Sequence, residues 1–519
     1  MTPPLDDPSV ALWLPDCLDI AARNWPDRLA LEFAGQRWPF RHLAAAVDRA
    51  AAQLALPAAM SNGRLGILSA NRSGFVVAIH AARQNGIPIV PLNWRQTADE
   101  IAWQIADADI SLLLVDEEHA PLAGAAVAGQ SVTMLPIAEL EDSAQPPRLP
   151  ASPTVLASDR PDHDSAELRQ PRLIAADREI AVIYTSGASG RPKGARLTYG
   201  NFWFSAVASA LHLGHLATDV WLAALPLFHV GGLSILFRGA ISGVPVILHP
   251  RFDPAATLAA IDDGATLVSL VPTMLSRLLE TRGDTPWPAT LRCILLGGAA
   301  TPLSLVASCR ARGLPVAPTY GLTEAASQVT TLVPEEVNAK PGSSGRPLPL
   351  TRLRIQAEVN PGEIGEIEIS GPTVFAGYLH QSAGMNQAER EPWFSTGDMG
   401  YLDDDGYLFV VDRRGDLIVS GGENIYPAEI ERVLLEHPLV RDAAVVGLPD
   451  EVWGSRPAAA IVWSGDLARL TETLTEHCRQ RLAPYKMPVR YVAVEHLPRT
   501  VSGKLLRHRV RDLFDPAPH

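Results

Sequence analysis

The sequence predicts an α/β protein: a large N-terminal domain of two α/β subdomains plus a β-rich section, then a small α+β C-terminal domain. Three observations carry this prediction. From Arg64 to about Tyr320 short apolar runs alternate with helical stretches, the rhythm of parallel strands covered by helices. Glycine-bounded strand patterns then take over. After Arg414-Gly415 a shorter α+β pattern begins, which sets domain bounds of 1–413 and 416–519 with 414–415 between them.

The elements follow in order. Residues 65–70 (LGILSA) precede an Ala/Val-rich helix, 87–90 (IPIV) follow it, and 111–116 (SLLLVD) come after another helix. Residues 117–172 lose the rhythm, become rich in Ala, Pro, Asp and Ser, and read as a surface excursion with one short strand. The second unit starts with 180–184 (IAVIY) and continues through 220–225, 244–249, 266–271 and 291–298. Residues 365–370 (GEIEIS) and 406–412 (GYLFVVD) are the strands of the β-rich section. The C-terminal unit has a helix from Pro427, strands near 440–447 and 457–463, a helix near 467–482 and a last strand at 489–494. No internal repeat is present.

Composition narrows the class of protein. The chain has 519 residues, 47% hydrophobic and 19% charged, with 39 Gly and 44 Pro. That excludes a disordered or fibrous chain. A net charge of −13 argues against a general binder of nucleic acid or membrane surfaces. Cys17, Cys293, Cys309 and Cys478 share no metal-type spacing and suit a reduced, cytoplasmic protein. The N-terminus lacks a basic region followed by an apolar run. The most apolar stretch, 220–249, is broken by Pro226, His229, Arg238 and Pro245, a pattern for buried elements rather than a membrane span. His212 and His215 lie three apart on a helix with no further ligands in sequence, so they read as surface histidines. No GxSxG or HExxH motif occurs, which leaves hydrolase and zinc-protease chemistry without a footing.

The densest chemical signal is residues 184–194, Tyr-Thr-Ser-Gly-Ala-Ser-Gly-Arg-Pro-Lys-Gly, directly after an apolar strand. Glycines let backbone approach a ligand, while N–H groups and hydroxyls suit phosphate oxygens. Lys193 adds a point charge. The spacing is neither a Walker loop nor GxGxxG. This segment resembles the phosphate loop of the adenylate-forming superfamily of acyl- and aryl-CoA synthetases, peptide-synthetase adenylation domains and luciferases. Ala188 stands where that family usually has Thr or Ser. Further motifs occur in the family's order: 320–324 (Tyr-Gly-Leu-Thr-Glu), 395–398 (Ser-Thr-Gly-Asp), Asp412-Arg413, and 498–504 (Pro-Arg-Thr-Val-Ser-Gly-Lys).

The resemblance implies residue roles. Thr185, Ser186, Gly187, Ser189, Gly190 and Lys193 would hold phosphate. Gly298, Ala299, Tyr320, Gly321 and Thr323 would frame adenine and α-phosphate, and Asp398 and Arg413 the ribose. Glu324 would carry Mg2+, since a carboxylate is a hard oxygen ligand. Lys504 would act with Thr185, Lys193 and His229 in catalysis, because attack of one anion on another needs cations at the developing charge. Relatives run adenylation and thioester formation in two orientations of the C-terminal domain, which places a pivot at Gly415. Taken alone, Glu324, Asp398 and Lys504 would each read as an ordinary solvated or turn residue.

Residues 420–427 (Ser-Gly-Gly-Glu-Asn-Ile-Tyr-Pro) have the form common in CoA ligases, with Gly421 and Gly422 bordering the pantetheine path. Tyr485, Trp453 and Arg95 take positions that border CoA, while Met487 and Val489 stand where some relatives have Lys or Arg. Within the family, residues 226–238, 291–298 and 412–424 are similar to the 2-succinylbenzoate–CoA ligases of menaquinone biosynthesis. That substrate has a second carboxylate, which must be satisfied if buried. His229, Arg238, Gly297 and Ser327 would line its pocket. Arg238 either meets that carboxylate, directly or through water, or pairs with a structural one. The expected partners are a small-molecule carboxylic acid, ATP and CoA, and self-association into a homo-oligomer is compatible with the chain. Two other readings stand beside this one: an aryl- or medium-chain acyl-CoA ligase of other specificity, and a non-enzymatic nucleotide-binding regulator on the same fold.

Overall fold

A computed structural model describes residues 11–55, 63–142, 171–185, 192–299, 301, 303–356, 362–381, 393–413, 418–425, 427–498 and 507–514. Its first large sheet has six strands in the order Lys193–Thr198, Glu179–Thr185, Ile89–Pro91, Arg64–Leu68, Ile110–Val115 and Thr133–Pro136. All neighbours are parallel except the first pair, a hairpin. The second sheet has nine strands. Val316–Leu322, Cys293–Leu296, Leu267–Leu270, Trp221–Ala223, Val246–Leu248 and Leu29–Phe33 form its parallel centre.

Helices Phe40–Leu54, Ser73–Asn85, Tyr199–Leu213 and Val230–Ser242 contribute to one hydrophobic core that also includes residues of both sheets. Helix Ser73–Asn85 is buried without interruption from Ser73 to Arg83, as a helix covered on all sides must be. Phe202 and Phe237 stack at 4.5 Å between two of these helices. Each such buried ring contributes roughly 1.5–3 kcal/mol.

Two differences from the sequence reading share one cause. Strand Glu179–Thr185 does not open the second unit but pairs with Ile89 of the first sheet. Strands Leu29–Phe33 and Gln36–Pro39, unassigned in the sequence, extend the second sheet. Strand runs show that a segment is a strand, but pairing of Ile89 with Ala181 or of Leu31 with Val246, far apart in the chain, depends on packing that local pattern does not encode. Within 117–172, helix Ala120–Ala126 and strand Thr133–Pro136 appear; residues 143–170 lie outside the described set.

A four-stranded antiparallel sheet follows: Arg352–Ile355, Gly365–Ser370, Phe394–Leu402 and Leu408–Arg413. The C-terminal sheet contains Glu423–Ile425, Ile418–Ser420, Gly454–Trp463, Val440–Asp450 and Arg490–Ala493. Helices Pro427–Leu435 and Leu470–Arg479 pack on it through Ile430, Leu434, Leu474 and Cys478. That core draws only on residues from 418 onward, as expected of a unit with its own interior. No helix among the described residues is long and apolar enough to cross a membrane, and the four cysteines are free and buried.

Candidate active site

The sequence-predicted residues gather where strand ends of the second sheet meet the first sheet's hairpin, the four-stranded sheet and the C-terminal unit. Thr185 ends one hairpin strand and Lys193 begins the next, and the two are paired across the ladder. The loop between them, with Ser186, Gly187, Ser189 and Gly190, lies outside the described residues. Lys193 Nζ sits 5.2 Å from the Tyr378 ring centroid. Tyr378 donates to Glu324 Oε1 at 2.7 Å, and Thr185 Oγ1 reaches the same oxygen at 3.5 Å. Two hydroxyls, a carboxylate and an ammonium therefore converge where strand Glu179–Thr185 ends and strand Lys193–Thr198 begins.

Tyr320, at the end of strand Val316–Leu322, donates to Asp398 Oδ2 at 2.7 Å. This bond ties the second sheet to the four-stranded one, where Asp398 is paired along the backbone with Arg413. Gly321 is required by packing: a Cβ there would lie 1.9 Å from the Ser327 carbonyl oxygen. The turn 323–327 is tight, with φ of 51° at Ala326 and 114° at Ser327, a conformation that costs non-glycine residues energy. Thr323 and Glu324 form its short helical turn. Gly297, Gly298 and Ala299 follow the neighbouring strand Cys293–Leu296, and Gly297 faces the Thr319 methyl with no room for a side chain.

His229 is the N-cap residue of helix Val230–Ser242, two turns before Arg238. Arg238 is 0% exposed. Its Nη2 donates to Ser327 Oγ at 3.1 Å and its guanidinium lies 5.3 Å from the Trp221 ring centroid. Its Nε is buried without a hydrogen-bond partner. Burial pulls its pKa down to about 9. Among the described residues no carboxylate pairs with it. His212 and His215 bond to the Thr331 carbonyl and to Ser242 Oγ, and among the described residues no group of three or more His, Cys, Asp or Glu could hold a metal. Both are half-buried rather than the surface histidines that the sequence suggested.

The C-terminal unit reaches this region through residues 421–423. Glu423 Oε1 is 3.2 Å from His229 Nε2 and 2.7 Å from Arg95 Nη1. Burial pushes the Glu423 carboxyl up, but His229 and Arg95, with Lys486 beyond them, hold its pKa at about 2. Gly422 has φ +85° and packs against Val271, the residue that also flanks Gly298. Gly421 has φ +57° and faces Trp453 so closely that a Cβ would come within 2.5 Å of the indole. Tyr485 is half-buried at the edge of the C-terminal core. Lys504 and Gly415 lie outside the described residues, and of Arg413 only the backbone is described.

Two residues of this cluster were missed in the sequence, Tyr378 and Glu423, and so was a contact of Lys486 Nζ with Glu100 Oε1 at 2.8 Å. The glutamate of Gly-Gly-Glu was in plain view beside the two glycines. Tyr378 had no local signal, since its partner Glu324 is 54 residues away.

Comparison with known proteins places this geometry. The model of the AMP-binding enzymes matches residues 18–379, and that of the AMP-binding enzyme C-terminal domain matches 429–504. A 2-succinylbenzoate–CoA ligase of Bacillus licheniformis is 41% identical over 504 residues, covering 96% of this chain and 99% of that one. A double mutant of o-succinylbenzoate CoA synthetase from Bacillus subtilis, bound to the product analogue OSB-NCoA, superimposes with a TM-score of 0.85 at 39% identity, covering 96% and 98% of the two chains. The same synthetase with the acyl-adenylate intermediate OSB-AMP gives 0.69 at 39% identity, covering 97% and 99%. The chain belongs to the AMP-binding, adenylate-forming enzyme family.

Proposed function

We propose that this chain is an ATP-dependent carboxylic acid–CoA ligase acting on 2-succinylbenzoate, and so serves menaquinone biosynthesis in the cytoplasm. The observation that carries the choice of acid is Arg238, a fully buried cation with no counter-ion among the described residues. A buried cation demands an anion, and a substrate with a second carboxylate supplies one. The names and bound ligands of the similar proteins point the same way.

In the first step a substrate carboxylate oxygen attacks the α-phosphorus of ATP, a P–O bond forms, and pyrophosphate leaves. Lys193 and the loop begun at Thr185 hold the phosphates. Tyr320 and Asp398, already hydrogen-bonded, frame the nucleoside. Glu324 and Thr185 offer hard oxygens that fit Mg2+, which needs only one or two carboxylates beside substrate phosphates. Bound there, the ion would supply positive charge to offset that of the phosphates. Lys504 is assigned to the same step, as the cation between carboxylate and α-phosphate.

In the second step the CoA sulfur attacks the acyl carbonyl, the carboxyl–phosphate bond breaks, and AMP leaves with the proton balance closed by loss of the thiol hydrogen. Gly421 and Gly422 would flank the pantetheine arm beside Gly298, with Trp453, Tyr485 and Arg95 toward the nucleotide end. Residues 414–415 are proposed as the hinge between a large domain 1–413 and a small domain 416–519. A pyrophosphate-release assay over a panel of carboxylic acids, with and without CoA, tests the whole reading. The expected result is release that is fastest with 2-succinylbenzoate and that turns over repeatedly only with CoA.

A further inference from the structure

One short segment of the large domain, 95–100, holds the small domain at two points of opposite sign. Arg95 Nη1 donates to Glu423 Oε1 at 2.7 Å. Five residues on, Glu100 Oε1 accepts from Lys486 Nζ at 2.8 Å. Glu100 is prepared for this by its own helix. Thr97 caps helix Ala98–Asp107 in a capping box, and its backbone N–H and hydroxyl both reach Glu100 Oε2. That leaves Oε1 for the ammonium.

On the other side, Lys486 Nζ also donates to Glu429 Oε1 at 2.7 Å, inside the small domain. Lys486 is 2% exposed and Glu429 4%, and Glu429 Oε2 has no hydrogen-bond partner among the described residues. Glu429 and Glu100 therefore share one ammonium, Glu100 being the large domain's contribution, and burial together with the nearby Glu100 carboxylate pushes the Glu429 carboxyl pKa up against the pull of Lys486. A carboxylate meeting Arg95 and an ammonium meeting Glu100 are both satisfied in this orientation, and a rotation of the small domain would separate both pairs at once. Both small-domain contacts adjoin residues assigned to CoA: Glu423 follows Gly421-Gly422, and Lys486 follows Tyr485.

We infer that Glu100 is a positioning residue for thioester formation: by accepting Lys486 across the domain boundary it fixes the small domain in the orientation that presents the CoA path. This rests on the CoA-ligase reading above. The similarity scores agree with it, being 0.85 against the relative with a product analogue and 0.69 against the same relative with the acyl-adenylate.

Glu100→Gln is the informative variant, since Gln also serves at the third position of a capping box while the charge is lost. Loss of a charge-assisted hydrogen bond predicts a roughly ten- to hundred-fold fall in thioester formation from supplied acyl-adenylate and CoA. Single-turnover pyrophosphate release should stay within about two-fold of wild type. In a Lys486→Gln background the same change should add nothing further. An activity-independent readout accompanies this. The native cysteines are all buried, so Leu211→Cys and Leu467→Cys, both at exposed positions, can carry a fluorescence pair on the two domains. Glu100→Gln should add a second distance state without substrates present. Unchanged distances with an unchanged thioester rate would overturn the inference, as would equal loss in both half-reactions. A wild-type protein inactive on every acid would instead overturn the ligase reading, and the distance measurement would still decide the role of Glu100 in docking.

Discussion

Replacing Arg238 with methionine should separate substrate recognition from stability. The guanidinium is fully buried, makes one hydrogen bond to Ser327 and lies over Trp221. Methionine keeps much of the volume and removes the charge. The folded enzyme loses one hydrogen bond of about 0.5–1.5 kcal/mol but escapes the cost of an unpaired buried cation, which is several kcal/mol. Thermal stability should therefore hold or rise. Catalysis should behave in the opposite way. If the substrate's second carboxylate meets Arg238, its loss leaves that anion unpaired in an apolar pocket, which costs about 3–5 kcal/mol. At 1.36 kcal/mol per decade that is a fall in kcat/KM of roughly a hundred- to a few thousand-fold. An arylbutanoate analogue lacking the ring carboxylate should lose less than about ten-fold. Steady-state pyrophosphate release with both acids, beside a melting curve, makes the measurement. Equal losses on the two acids would refute the assignment, and a large fall in melting temperature would show that Arg238 is structural.

Three further outcomes follow from the same geometry. Lys504→Ala should slow pyrophosphate release by about 10²–10³-fold yet convert supplied acyl-adenylate to thioester at a near-normal rate, as read by rapid quench. Gly415→Pro should fix φ near −65° and restrict residue 414; one half-reaction should persist in single turnover while the other falls by orders of magnitude, and parallel loss of both would signal misfolding. Glu423 has its carboxyl pKa lowered to about 2, so its contribution to the docked arrangement is complete above its ordinary value of about 4.5 and is lost progressively as pH falls from there through about 2. Glu423→Gln should accordingly lower the rate of thioester formation without altering the shape of its pH profile above about pH 5.

Much of this was legible in the sequence because the relevant signals are local. The run 184–194 needs its glycines and Lys193 next to a strand, and strand Glu179–Thr185 is there. Gly321 and Gly421 announce close approaches that the structure contains. Three strands of the C-terminal unit fall near 440–447, 457–463 and 489–494 as alternation and turn residues put them, while the short strands Ile418–Ser420 and Glu423–Ile425 were not assigned. What remained hidden depends on separation along the chain. Which sheet takes strand Glu179–Thr185, and that residues 29–39 join the other, are decided by packing among helices from distant segments. Lys486 and Glu100 are 386 residues apart, and neither has a neighbour in sequence that names its partner. Arg238 was visible as a charge in an apolar helix, but only the structure shows that it is fully buried with no carboxylate partner among the described residues.

The central claim is tested most directly by measuring products with 2-succinylbenzoate, ATP, Mg2+ and CoA. The account predicts AMP, pyrophosphate and one CoA thioester in equal amounts, and, when CoA is withheld, pyrophosphate release that stops near one equivalent of enzyme with the acyl-adenylate retained. Formation of ADP and phosphate, or a thioester that appears without pyrophosphate, would contradict it.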